Sequence, residues 1–314
     1  MKTITVFGDV MLDTWLRCNP VKVSPEAPVL VCRRNGETYS PGGAGNVAAN
    51  LKVGFNVNVR LVGLQGAGAE HTHLLHALEI YCIPSKYLVG MVGWQTIEKC
   101  RIVDDLGRQL LRLDTELESP DIPDFIQRNM NTHLHIGSSE TDGLVISDYG
   151  KGTCTPALLR CAIQEFRDRG KYVIVNGKPE RLMSYRGANL LVYNFAEATA
   201  AWKQFGNQKL IATVADLADA LWLVLNSGSY YSTELLITCG DKGMVHWDGV
   251  NARCAEAIAV PVADVCGAGD TVVATIAAFG RCDLDVMHDA AVNAAEVVAQ
   301  HGTSICARKE EMWG

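Results

Sequence analysis

Leu144-Val145-Ile146-Ser147, a helix-length segment over residues 155–170, and then Tyr172-Val173-Ile174-Val175-Asn176 form the stretch on which the fold turns. Short apolar runs without polar alternation read as strands covered on both faces. Between them, Leu158, Leu159, Ala162, Ile163 and Phe166 recur at helical spacing, with charges on the other side. A strand, a helix and a strand in succession close as a parallel pair with a crossover helix. The pattern repeats outward. Residues 4–7, 57–62, 190–193 and 235–238 are further strand-length runs, and 213–226 is a further helix. The expected fold class is therefore α/β, a mostly parallel central sheet with helices on both faces.

Two regions break the alternation, residues 16–39 and 92–113, which read as extended segments without helical period. In the second, Asp104-Asp105-Leu106-Gly107 separates two runs and signals a hairpin. The expectation is one domain over residues 1–314, with a small β-sheet flap, or lid, from about 16–39 and 92–113. An exposed flap should cover a ligand or pair with another subunit.

The chain has 314 residues, 48% hydrophobic and 20% charged, which supports neither disorder nor coiled coil. Lys plus Arg is 28 against 35 Asp plus Glu, a net charge of −7. Nucleic acid and an anionic membrane are therefore not expected partners. The start, Met1 to Asp9, is not a secretory segment, and no stretch approaches a membrane span. The 11 cysteines, without a Cys-x-x-Cys pair, read as buried free thiols in a reducing cytoplasm.

The strongest local motif is Asp264-Val265-Cys266-Gly267-Ala268-Gly269-Asp270-Thr271, followed by an apolar helix over 272–279. Bare backbone at a helix start can hold an anion such as a transferring phosphoryl group. Asp270 could then take a proton from an attacking hydroxyl. The competing reading, a tight turn with Asp270 as helix cap, stays open on the motif alone. Pro41-Gly42-Gly43-Ala44-Gly45-Asn46 opens another helix. Residues 43–48 match Gly-x-Gly-x-x-Ala, but the required acid after the next strand is missing, so a dinucleotide site is rejected. These glycines would let a polyhydroxylated ligand approach, with Asn46 or Asn50 donating hydrogen bonds. A Walker A loop is absent.

Asp9 and Asp13 follow the first strand, where they could grip sugar hydroxyls or serve as a cap and a surface charge. Asn194-Phe195-Ala196-Glu197, Thr238-Cys239-Gly240-Asp241-Lys242-Gly243 and Ser147-Asp148-Tyr149-Gly150-Lys151-Gly152 also sit at carboxyl ends of strands. His71, His73 and His76 lack zinc spacing and read as a helix face. Cys266 reads as packing, with no nearby His to activate it. Trp202, Trp222 and Trp247 read as packing too.

Together these motifs resemble the ribokinase-like, or PfkB, family of carbohydrate kinases, over nearly the whole chain. The resemblance implies an ATP-dependent phosphotransferase with an alcohol group as acceptor. It makes Asp270 the catalytic base and Gly267, Ala268 and Gly269 the anion hole. It gives ATP to Asn194, Glu197, Thr238, Gly240 and Gly243, with Glu197 reaching Mg²⁺ through water or phosphate. Within the family, the runs Gly8 to Asp13, Val23 to Val29, Pro41 to Ala48, Arg112-Leu113-Asp114 and Ser147 to Gly152 are similar to the heptose-7-phosphate kinase domain of ADP-heptose synthesis proteins. That likeness gives Asp13, Gly42, Gly43, Asn46, Arg112 and Lys178 to the phosphorylated sugar, since an acceptor carrying a phosphate needs cations. It implies D-glycero-D-manno-heptose 7-phosphate as acceptor at its anomeric hydroxyl, and a homodimer through the lid.

The chain departs from its relatives in Asn176-Gly177-Lys178-Pro179, where Asp-Pro-Lys-Gly is usual. It also has Cys266 for Thr, Val192-Tyr193-Asn194-Phe195-Ala196-Glu197 for Thr-Pro-Asn-Leu-Ser-Glu, and an altered stretch over 118–143. The alternatives are a kinase of this fold for another sugar or a nucleoside, and a catalytically silent sugar- or nucleotide-binding protein. No nucleotidyltransferase segment is expected after Gly314, so a second enzyme would attach the nucleotide.

Overall fold

The computed structural model describes residues 1–116, 121–206, 211–300, 302 and 304–306. The first strand, β1 (Thr3–Gly8), pairs in parallel with β4 (Asn58–Ala67) on one side and β8 (Gly143–Ser147) on the other. Beyond β8 come β9 (Tyr172–Asn176), β10 (Leu190–Asn194) and β11 (Glu234–Thr238), all parallel. Parallel β5 (Leu88–Gln95) closes one edge, and antiparallel β12 (Met244–Trp247) and β13 (Ala252–Ala255) close the other. The sheet order is β13-β12-β11-β10-β9-β8-β1-β4-β5.

Alternation along these strands divides the core into two layers. Val145, Ile174, Val192 and Leu236 join one cluster with α1 (Ala44–Phe55), α2 (Ala69–Ile80), α7 (Ala268–Phe279) and α8 (Leu284–Val298). Their neighbours Ile146, Val175, Leu191 and Leu235 join the other, with α3 (Asp124–Glu140), α4 (Pro156–Asp168), α5 (Phe195–Phe205) and α6 (Val214–Asn226). Period-two strands between period-3.6 helices require this sandwich. Helix α4 starts where Thr155 accepts from the Leu158 N–H and Pro156 occupies the first turn. The expected α/β class, with helices on both faces, holds.

A second sheet has the order β3-β2-β6-β7, from β2 (Val10–Val23), β3 (Leu30–Gly43), β6 (Ile97–Val103) and β7 (Gln109–Thr115). The Asp104–Gly107 turn is the expected one, with Gly107 at φ 78° and Asp104 Oδ1 accepting from the Leu106 and Arg108 N–H groups. The strands of this sheet have bounds other than the segments 16–39 and 92–113. β2 and β3 run as single strands of 14 residues each from the cleft into the lid, so the second sheet begins at Val10, in the core, rather than near 16. Residues 92–95 belong to β5 at the edge of the large sheet. Polar and apolar residues mix at the strand roots because one end of each strand is core and the other is lid. Part of the stretch 118–143, residues 118–120, lies outside the described residues.

All 11 cysteines are unpaired, but only Cys18, Cys154, Cys282 and Cys306 are buried, which corrects the expectation that the thiols are core groups. Among the described residues no helix is long and apolar enough to cross a membrane.

Candidate active site

Asp270 occupies the first turn of α7, whose N-cap, Gly267, has φ 87°. The first-turn N–H groups of a helix lack intrahelical acceptors. A Cβ added at Gly269 would meet nothing within 4 Å, so this turn faces open space as an anion hole requires. The Asp270 side chain is buried, and protein groups hold both its oxygens. Asn46 Nδ2 donates to Oδ2 at 2.8 Å, and the Tyr149 hydroxyl donates to Oδ1 at 2.6 Å. Burial pushes the Asp270 carboxyl up to about 6, against the opposing pull of those two bonds. A carboxylate poised there can act as a general base near neutral pH.

Asn46 is itself fixed. Asn50 Nδ2 donates to its backbone oxygen and its Oδ1, while Thr271 Oγ1 and the Cys306 N–H donate to Asn50 Oδ1. This network joins α1 to α7 and corrects the expectation that Asn50 reaches a ligand: it is fully buried and its groups are used internally. The glycines before α1 serve close packing. A Cβ at Gly42 would lie 2.6 Å from Asp13 Oδ2, and one at Gly43, φ 57°, would lie 2.4 Å from the Asp9 carbonyl oxygen.

Asp9 is not a hydroxyl-gripping group. Its buried carboxylate accepts from the N–H groups of Tyr149, Lys151 and Thr153, at 2.8, 3.0 and 3.0 Å. It thereby pins the loop after β8. Asp148 is buried beside it and accepts from Arg181, from the Tyr185 hydroxyl and from the Gly150 N–H. Asp9, Asp148 and Cys154 converge closely enough for a metal site. The donors already on both acids make the group a loop anchor instead.

Asp13 lies within β2 rather than past a strand end, and Arg101 Nη1 donates to its Oδ1 at 2.6 Å in a buried pair. Strand register puts Lys99 opposite Asp13 and Asp114, and Arg101 opposite Trp15 and Arg112. Directly opposed residues share a face, so Lys99, Arg101 and Arg112 lie on the lid face that carries Asp13. Arg112 is half exposed and forks onto Asp114 through Nε and Nη2. Like-charged neighbours such as Arg101 and Arg112 repel unless acids or a bound anion lie between them.

Lys178 stands apart from this row. Its ammonium donates to Glu197 Oε1 at 2.6 Å. Asn194 caps α5 reciprocally with Glu197, and it lies opposite Thr238 in the β10–β11 register. Lys178, Asn194, Glu197 and Thr238 therefore gather at one end of the sheet. In the turn that follows, Gly240 has φ 60° and faces open space, while a Cβ at Gly243 would lie 2.0 Å from the Ala255 carbonyl oxygen. Burial and the adjacent Asp264 raise the Cys266 thiol to about 11, which keeps it from nucleophilic service. His73 stacks on Tyr39 with ring centroids 4.0 Å apart.

Tyr149, Lys99 and Arg101 are functional candidates that only the structure brings forward. Tyr149 stood inside a quoted strand-end motif, and Lys99 and Arg101 stand two residues apart on a hairpin strand. Period-two spacing of cations was the available signal.

The family model for the pfkB family carbohydrate kinases matches residues 1–310. The Bifunctional protein HldE of Gluconobacter oxydans is 34% identical over 318 residues, covering 98% of this chain and 63% of that protein. The protein of the same name from Caulobacter sp. is 36% identical over 314 residues, covering 98% of this chain and 62% of the relative. The chain thus spans just over three-fifths of the length of these relatives. Phosphofructokinase-2 from Escherichia coli in complex with substrates and products superposes with a TM-score of 0.75 at 18% identity, covering 98% of this chain and 96% of that one. Ribokinase from Thermotoga maritima gives 0.71 at 19% identity, covering 98% and 97%. These structures share the fold. The chain belongs to the pfkB family of carbohydrate kinases, phosphotransferases acting on a hydroxyl group.

Proposed function

We propose that this pfkB-family sugar kinase uses ATP to phosphorylate D-glycero-D-manno-heptose 7-phosphate at its anomeric hydroxyl, giving the 1,7-bisphosphate. The observation that carries the reading is a poised, buried carboxylate, Asp270, facing a lid whose inner side bears Lys99, Arg101 and Arg112. In this reading Asp270 takes the hydroxyl proton as the acceptor oxygen bonds to the γ-phosphorus. The bond from that phosphorus to the bridging oxygen breaks, and ADP leaves with the electron pair. The N–H groups of Gly267, Ala268, Gly269 and Asp270 stabilise charge on the transferring group. Asp13, Gly42, Gly43 and Asn46 line the sugar side, with Arg112 toward the acceptor's phosphate. Lys178, through its pair with Glu197, lies where the acceptor and donor sides meet.

ATP lies over Asn194, Thr238, Gly240 and Gly243. Magnesium, when bound with it, neutralises charge on its phosphates. Glu197 fits an indirect role toward that ion, because Lys178 occupies Oε1 and the Asn194 N–H occupies Oε2. Lid closure would exclude water and suppress ATP hydrolysis. The whole chain acts as one kinase domain in the cytoplasm.

The lid's other face supports pairing of two copies. Leu16, Cys100, Ile102, Leu111 and Leu113 share that face by register, and Leu111 and Leu113 are about half exposed. An exposed apolar sheet face invites a partner.

ADP release with Mg²⁺-ATP, measured across heptose 7-phosphate, hexose phosphates, free hexoses, ribose and nucleosides, tests the assignment. Preference for the heptose phosphate is expected. Preference for an uncharged sugar or nucleoside overturns the acceptor, and silence from folded protein favours a binding protein.

A further inference from the structure

We propose that Tyr149 is a positioning residue for Asp270: its phenol fixes the orientation of the carboxylate beneath the lid and keeps it available as a base. The inference rests on the assignment of Asp270 as proton acceptor.

Four observations support it. The Tyr149 hydroxyl reaches Asp270 Oδ1 at 2.6 Å, on the oxygen that Asn46 does not hold. Two donors on two oxygens stop rotation of the carboxylate, and each oxygen retains a lone pair for the acceptor hydroxyl. The backbone that carries Tyr149 is anchored by the buried Asp9, whose carboxylate takes the N–H groups of residues 149, 151 and 153. A side chain on so constrained a loop has little freedom to leave its partner. Two cations from different elements also lie near the ring, Lys99 Nζ at 5.3 Å and Lys178 Nζ at 5.5 Å from its centroid. Burial and the neighbouring Asp270 push the phenol well above its ordinary range, so it stays a donor at every working pH.

The charges that bear on Asp270 come from several elements. Asn46 on α1 and Tyr149 on the loop after β8 favour the anion by hydrogen bonding, and Lys99 on β6 favours it through its field. Asp13 on β2 opposes it, as does burial. Losing the phenol therefore moves the balance toward the protonated acid, which cannot accept a proton.

The test is Tyr149→Phe, which keeps the ring. The acidic limb of the kcat/KM profile should move up by about one pH unit, the scale of a lost hydrogen bond to a charged group. Turnover at pH 6 should fall about fivefold and recover almost fully at pH 8, with the KM for ATP unchanged within about threefold. Carbon NMR of the Asp270 carboxyl in unliganded protein should show its titration midpoint rising by the same amount. Installing 3,5-difluorotyrosine at position 149, a stronger donor, should move both in the opposite direction, and this readout survives if the Phe variant folds poorly. Slower turnover with an unmoved profile and midpoint overturns the proposal and leaves Tyr149 a packing residue. A midpoint that moves in a protein whose parent turns over none of the sugars would remove Asp270 as base, and the positioning role with it.

Discussion

On the floor of the cleft, Asp9 takes three backbone N–H groups and Asp270 takes Asn46 and Tyr149. On the inner face of the lid, three cations, Lys99, Arg101 and Arg112, share two acids, Asp13 and Asp114. The floor supplies its own donors, so it is organised before any ligand arrives, as stabilisation of a transferring group requires. The lid retains an excess of positive charge in a chain of net charge −7. On the proposed reading, an anionic acceptor completes it. On the proposed reading, the difference separates chemistry, built into helices and the central sheet, from recognition, carried on the second, smaller sheet.

The largest expected effect strikes the floor. Asp270→Asn should lower kcat by about 10²–10⁴-fold, the usual worth of a general base, while ATP affinity stays close to the parent's. The same change should stabilise the fold at pH 7. The Asp270 carboxyl stands at about 6 in the folded chain against an ordinary 3.8, so its ionisation is harder in the native state. Stability is therefore lost as pH rises from about 4 to about 6, and an uncharged Asn recovers up to about 3 kcal/mol. Melting curves at pH 4 and pH 7 check the sign, since the gain should vanish at the lower pH. A variant that is inactive and also less stable at pH 7 would place Asp270 in the structure rather than in the chemistry.

An intermediate effect belongs to the inner face of the lid. Arg101→Ala breaks a buried pair with Asp13, a change that costs at most about 3–5 kcal/mol, since Lys99 stands opposite the same acid. Because that pair sits in the lid, the loss should appear mainly as an acceptor KM raised about 100-fold, with kcat changed less than tenfold. Steady-state kinetics decide the split, and an equal fall in kcat would merge lid and floor into one machine.

The smallest effect on turnover is expected from the outer face. Leu113→Glu should convert a dimer to a monomer in sedimentation equilibrium and change the rate per chain no more than about twofold. An unchanged mass would remove the lid as the pairing surface.

Much of this was legible in the residues. Fully apolar strand runs separated by amphipathic helices permit few arrangements, which is why Tyr172–Asn176 coincides with β9 and the others differ by a few residues. Asp270 was legible as one of two readings of a Gly-Ala-Gly turn before an apolar helix, a base or a helix cap, and its burial and its two donors came only with the tertiary structure. Asp9 was misread. From sequence, an acid after a strand looks the same whether it faces solvent, substrate or a loop from 140 residues away. The start of β2 at Val10 was hidden for a similar reason. A strand that passes from core to lid changes its surroundings without changing its period.

The sequence alone determined the layered α/β architecture and the helix start that bears Asp270, because local periodicity and glycine chemistry act over a few neighbouring residues. Only the tertiary structure decided what each charge meets. It set Lys178 on Glu197, Arg101 on Asp13, and Tyr149 and Asn46 on the two oxygens of Asp270. Those pairings join residues 19 to 224 positions apart, and the burial that raises Asp270 exists only once both helix layers have closed on the sheet.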